Sequence, residues 1–270
     1  MAAKESLMVG VGASAGGLEA LERFFGGIPD DLNASFVVVQ HLSPDHKSLM
    51  ADLLAKHTSM PVREAVDGQE LLPRTVAMVP PHANLVVESG RLRFRERTGG
   101  HAPNLPINLL LTSLAEAYGE RAAGVVLSGT GSDGRIGLES IKQHGGFLLV
   151  QDPTTARFDG MPLAAISTGL VDVVAAPDAM GQELLSLQQH GTAQREILAW
   201  GTDEASIQAI EQRLLGASGI DFAEYKPATV LRRIARRMAA LTVPRWPNTR
   251  GGSSSTPTRC RRSRANCSST

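Results

Sequence analysis

Through residue 190 the chain alternates short, mostly apolar runs with stretches of helical period, and that alternation admits few folds. The runs are Leu7–Val11, Phe36–Gln40, Thr75–Val79, Ala123–Ser128, Phe147–Gln151 and Val171–Ala175. Each is apolar on both faces, as strands of a parallel sheet covered by helices on each side must be. Between them, Leu18–Phe25, Lys47–His57, Ile107–Gly119 and Gly137–His144 carry helical patterns. In Lys47–His57, for example, Leu49, Leu53 and Leu54 share one face. The fold class expected is α/β: a doubly wound, mostly parallel sheet flanked by helices. One segment departs from this. Asn84–Glu88 and Arg91–Arg95 flank Ser89-Gly90 and read as one antiparallel hairpin decorating the sheet.

The first run enters a glycine-rich turn, Gly12-Ala13-Ser14-Ala15-Gly16, which fits G-x-S-x-G and leads at once into a helix. A strand-turn-helix of this kind lifts a serine hydroxyl to the edge of the sheet, beside free helix N–H groups that can receive an oxyanion. Serine is also a common helix N-cap, and Gly10-x-Gly12-x-x-Ala15 is a loose dinucleotide fingerprint. The dinucleotide reading wants a carboxylate at the end of the second strand, where this chain has Gln40-His41. No cofactor is therefore expected.

His41 is the candidate base. Adjacent parallel strands would bring it near Ser14, and an imidazole titrates in the range a serine nucleophile needs. Asp133, in Leu127-Ser128-Gly129-Thr130-Gly131-Ser132-Asp133-Gly134, is the candidate carboxylate to orient that imidazole. On spacing alone it reads equally well as a cap for the next helix. Ser14, His41 and Ser128–Gly134 all stand just past strands, at the rim where sheets of this class bind ligands. His46 is poorly spaced from His41 for one helix face to hold a metal ion with both, and no acidic third ligand is evident, so no metal is expected. His57, His82, His101, His144 and His190 read as surface or loop residues.

These motifs, with Phe158-Asp159-Gly160-Met161-Pro162 after them, resemble in residues and order the catalytic domain of the chemotaxis protein-glutamate methylesterases (CheB type) over about residues 7–190. The resemblance implies a serine esterase with Ser14 as nucleophile, His41 as base and Asp133 as orienter. It implies an oxyanion hole from the backbone N–H groups of Ala15 and Thr130, and a substrate cleft that includes Met161. The implied substrates are glutamate methyl esters on chemoreceptor cytoplasmic helices or a similar signalling protein, cleaved to glutamate and methanol, with glutamine deamidation in some relatives. Against the family pattern, Ala15 stands where many relatives have threonine, Thr130 where many have methionine, and Asn108 where an aspartate is usual. No receiver-like segment precedes Leu7, so phosphorylation control within this chain is not expected. A catalytically weak receptor-binding module is the alternative reading.

Residues 218–241 resemble the opening of the CheR-type receptor methyltransferases. The organisation expected is a methylesterase domain over 1–191, a helical linker over 192–217, the CheR-like fragment over 218–241 and a disordered tail over 242–270. After Glu224 the chain has 11 of its 27 Lys and Arg and no acid, so residues 1–224 carry a net charge of −11. The basic run lacks aromatics to stack bases, apart from Trp246, and no nucleic-acid partner is expected. The tail has the texture of a changed reading frame, and it holds both cysteines, Cys260 and Cys267. With no cysteine elsewhere, no run of 18 apolar residues and no signal-like N-terminus, the expectation is a cytoplasmic protein without membrane insertion.

Overall fold

A computed structural model of the chain describes residues 6–41, 50–81, 83–96 and 104–189. Its elements run β1 (Leu7–Ala13), α1 (Gly17–Gly26), β2 (Ala34–Gln40), α2 (Met50–Leu54), β3 (Val62–Glu64), β4 (Val76–Met78), β5 (Asn84–Glu88), β6 (Arg91–Arg95), α3 (Pro106–Tyr118), β7 (Ala122–Val126), α4 (Arg135–Gln143), β8 (Phe147–Gln151), α5 (Gly160–Ser167) and β9 (Val173–Ala175). A further helix, α6, spans 180–189. His46, His82, His101, His190, the CheR-like fragment, the basic run and both cysteines lie outside the described residues.

Seven strands form one parallel sheet in the order β3-β4-β2-β1-β7-β8-β9. The chain first builds outward from β1 through β2, then returns to place β7 on the other side of β1. The carboxyl end of β1 is thus the point where the direction of winding reverses, and there a crevice opens between the flanking loops. Sequence patterning assigns none of three elements, β3, α5 and α6. β3 is a three-residue edge strand whose Arg63 and Glu64 are exposed, so it has no apolar run to read. α5 carries Gly160 and Pro162, which look like breakers; proline is tolerated there because first-turn N–H groups need no intrahelical acceptor.

Alternate residues of β1 face opposite layers. Leu7, Val9, Val11 and Ala13 join the core beneath α1 and α6, where Phe24, Phe25 and Phe36 pack edge to face at 5.1–6.0 Å between ring centres. The other face of β1 presents Gly10 and Gly12 to α3. A Cβ on Gly10 would lie 2.6 Å from Leu111 Cδ2, and one on Gly12 2.5 Å from Ile107 Cγ2. The two glycines therefore let α3 lie directly on the strand, with its N-terminus beside the crevice.

The hairpin has the limits its sequence indicates, with Ser89 and Gly90 both at positive φ in the turn. It does not extend the main sheet. Its strands form a separate two-stranded ribbon that buries Leu85, Val87 and Leu92 in the α3 layer, and Ser113 Oγ accepts the Val87 N–H.

Candidate active site

Ser14 is the first residue after β1. Its N–H donates to the Ser128 carbonyl at 3.0 Å, and its own carbonyl accepts the Gly17 N–H at 2.8 Å. The turn closes only because Gly16 takes the left-handed conformation, φ 70° and ψ 9°, which costs glycine nothing. A Cβ there would also meet Ser128 Oγ and Arg157 Cβ, each at 2.9 Å. Helix α1 then starts without a side-chain cap, so Ser14 does not act as an N-cap.

His41 follows β2 and continues its ladder, donating its N–H to the Ala13 carbonyl at 3.0 Å. Its side chain, about one-third exposed, reaches both candidate partners. Nδ1 lies 3.3 Å from Ser14 Oγ and Nε2 lies 3.1 Å from Asp133 Oδ2. A carboxylate only accepts, so the Nε2 proton points to Asp133 and the Nδ1 lone pair faces the serine hydroxyl. Ser14 and Asp133 are both nearly buried, and Ser14, with His41, lines the open cleft.

The N-terminus of α3 fixes Asp133. Oδ2 accepts the Ile107 N–H at 3.0 Å, and Oδ1 accepts the N–H groups of Asn108 at 3.0 Å and Gly134 at 2.8 Å. These helix N–H groups have no intrahelical acceptor, and the helix dipole favours a negative group there. The Asn108 side chain turns elsewhere: Oδ1 accepts the Gly137 N–H at 2.9 Å and ties α3 to α4.

The loop after β7 abuts the serine, for a Cβ on Gly129 would come within 2.8 Å of Ser14 Cβ. The N–H groups of Ala15 and Thr130 donate to no acceptor among the described residues. Met161 is 1% exposed. Its sulfur packs under Gly129 instead of lining the cleft, because α5 turns it into the α3-side core. Ser128, which has no role in the sequence reading, joins three segments: Oγ donates to the Ala15 carbonyl at 2.9 Å and accepts the Phe158 N–H at 3.0 Å, while its N–H donates to Gln151 Oε1 at 2.8 Å.

A cleft of about 490 Å³ opens over Ser14, bordered by Ala15, Gly16, His41, Met50 and Arg157. A smaller cavity of about 200 Å³ lies on the other side of His41, against Val79, Pro80 and Pro106. Among the described residues no three His, Cys, Asp or Glu side chains gather as a metal site would require, and no helix is long and apolar enough to cross a membrane.

Residues 9–184 match the family model described as CheB methylesterase, and residues 205–247 match that of the CheR methyltransferase all-alpha domain. An uncharacterized 104.1 kDa protein of Rhodobacter capsulatus is 38% identical over 218 residues, covering 72% of this chain and 23% of that protein. A protein-glutamate methylesterase/protein-glutamine glutaminase of Anaeromyxobacter dehalogenans is 37% identical over 180 residues, covering 67% of this chain and 53% of the relative. The chain thus spans about half the length of one of these relatives and about a quarter of the other. The crystal structure of the Thermotoga maritima CheB methylesterase catalytic domain superposes with a TM-score of 0.62 at 29% identity, over 68% of this chain and 99% of that one.

Proposed function

The chain belongs to the CheB methylesterase family, and from that premise we propose that it hydrolyses glutamate γ-methyl esters on a helical signalling protein. One observation carries the mechanism: Ser14 Oγ, the His41 ring and the Asp133 carboxylate are linked in series at the mouth of the crevice.

His41 Nδ1 takes the Ser14 proton as Oγ attacks the ester carbonyl. Asp133 holds the ring and stabilises the imidazolium that results. The Ala15 and Thr130 N–H groups receive the tetrahedral oxyanion, each donor contributing about 10²–10³-fold in rate. Collapse breaks the C–O bond, and His41 returns its proton to the departing methoxy group, releasing methanol. Water, deprotonated by the same nitrogen, then cleaves the acyl-serine to give glutamate and free Ser14. Glutamine deamidation follows the same course with ammonia leaving.

The substrates proposed are the cytoplasmic helices of methylated chemoreceptors, placing the protein in the cytoplasm. The CheR-like match over 205–247 supports a chain in which the esterase residues are followed by a CheR-like segment, one that begins within the stretch 192–217 read as linker. The test is methanol release from methylated receptor membranes. Wild type should release methanol, and Ser14→Ala should lose about four or more orders of magnitude in rate while still unfolding cooperatively. Equal release by the two proteins would exclude the mechanism.

A further inference from the structure

Ester hydrolysis by Ser14 needs oxyanion donors that are aimed as well as free. In a trans peptide the carbonyl of one residue and the N–H of the next lie in one plane and point opposite ways. Holding the carbonyl therefore sets the direction of the N–H. Thr130 is set in this manner by the Met161 N–H, which donates to the Gly129 carbonyl at 2.9 Å. The matching carbonyl for Ala15 is that of Ser14, and it has two donors. One is the Gly17 N–H at 2.8 Å, a local bond that moves with the turn. The other is Gln40 Nε2 at 2.7 Å, which comes from the last residue of β2, the strand that leads directly into His41.

We infer that Gln40 is a positioning residue: by gripping the Ser14 carbonyl from β2, it aims the Ala15 N–H and locks that donor in register with the His41 base. The inference rests on the esterase reading above. Three further observations support it. Gln40 is 8% exposed, a polar side chain closing a strand that is buried throughout. Its Oε1 is buried and has no hydrogen-bond partner among the described residues, so full polar satisfaction does not account for a glutamine here. And Gly17 makes room for it, since a Cβ there would lie 2.3 Å from Oε1 and 2.9 Å from Nε2.

The test is Gln40→Met, which fills nearly the same volume without a donor, assayed by methanol release from a helical peptide carrying one glutamate γ-methyl ester. Rates are referred to serines titrated with a fluorophosphonate, so that misfolded enzyme is not counted. The expected result is a kcat per titrated site lower by about 10- to 100-fold, less than outright loss of a donor, with KM within about twofold. Affinity for a trifluoromethyl ketone analogue, which forms the oxyanion, should fall by the same factor as kcat/KM, while that for the carboxylate product peptide should not move.

Unchanged kcat per titrated site, or a loss confined to the titratable fraction, would overturn the inference. If Gln40→Met does not unfold cooperatively, Gln40→Leu, of similar size and without any donor, takes its place with the same criteria. Failure of both variants to fold would make the role structural and end the proposal. Absence of methanol release by wild type, or its persistence in Ser14→Ala, would instead defeat the esterase reading itself.

Discussion

Ile107 donates its backbone N–H, at 3.0 Å, to Oδ2 of Asp133, the oxygen that also faces His41 Nε2 at 3.1 Å. The first turn of α3 and the candidate base therefore share one carboxylate. The helix that packs on the glycines of β1 also supports the site.

Replacing Asp133 should consequently affect stability and rate together. Asp133→Ala strands the N–H groups of Ile107, Asn108 and Gly134, all buried, and should cost about 2–4 kcal/mol in urea unfolding. Asp133→Asn keeps the shape but offers His41 an acceptor that no longer carries charge. It should cost less stability and still lower kcat by about 10³–10⁴-fold. Comparing urea midpoints with methanol release for the two variants separates the effects.

Gly12→Ala tests the coupling between sheet and site from a distance. The new methyl would lie 2.5 Å from Ile107 Cγ2, so α3 must shift or the strand must bow. The expected loss is about 1–3 kcal/mol of stability. Activity per folded molecule should fall as well, because Ile107 is one of the residues that hold Asp133. Normal activity per folded molecule would show that α3 and the carboxylate move independently.

Arg157 borders the cleft over Ser14 and stacks its guanidinium on Phe158 at 6.0 Å. A receptor segment bearing carboxylates beside the methylated glutamate would meet this charge. Arg157→Ala should raise KM for an acidic ester peptide by about two- to fivefold, as an exposed ion pair would, and leave a neutral ester peptide unaffected. The difference should shrink as salt is added. An equal change for both peptides would assign Arg157 to packing instead of recognition.

Much of this molecule is legible along the chain. The glycine turn at 12–16, the runs that became β1, β2, β7 and β8, and the hairpin 84–95 can each be read within about ten residues. What informs them is local: apolar periodicity, glycine at a left-handed turn, and a Ser-Gly pair between strands. Even the meeting of Ser14 with His41 has a sequence signal, since residues that end adjacent parallel strands must be neighbours. Gln40 carries one too, as a polar residue closing an apolar strand, but nothing along the chain tells which way its side chain turns.

Other features were settled only by the folded chain. Sequence left Asp133 equally readable as a helix cap; the structure turns it to the start of α3, which lies before it in the chain, and to His41. Met161 belongs to a shared motif, yet the rotation of α5 buries it beneath Gly129. Asn108 found its partner on α4, and the hairpin settled on α3 rather than on a sheet edge. Periodicity and turn chemistry act over a few residues, so the chain itself dictated its strands, its helices and the presentation of Ser14. Strand order, helix rotation and the nitrogen that faces each partner depend on packing between segments far apart in sequence, and these only the tertiary structure could decide.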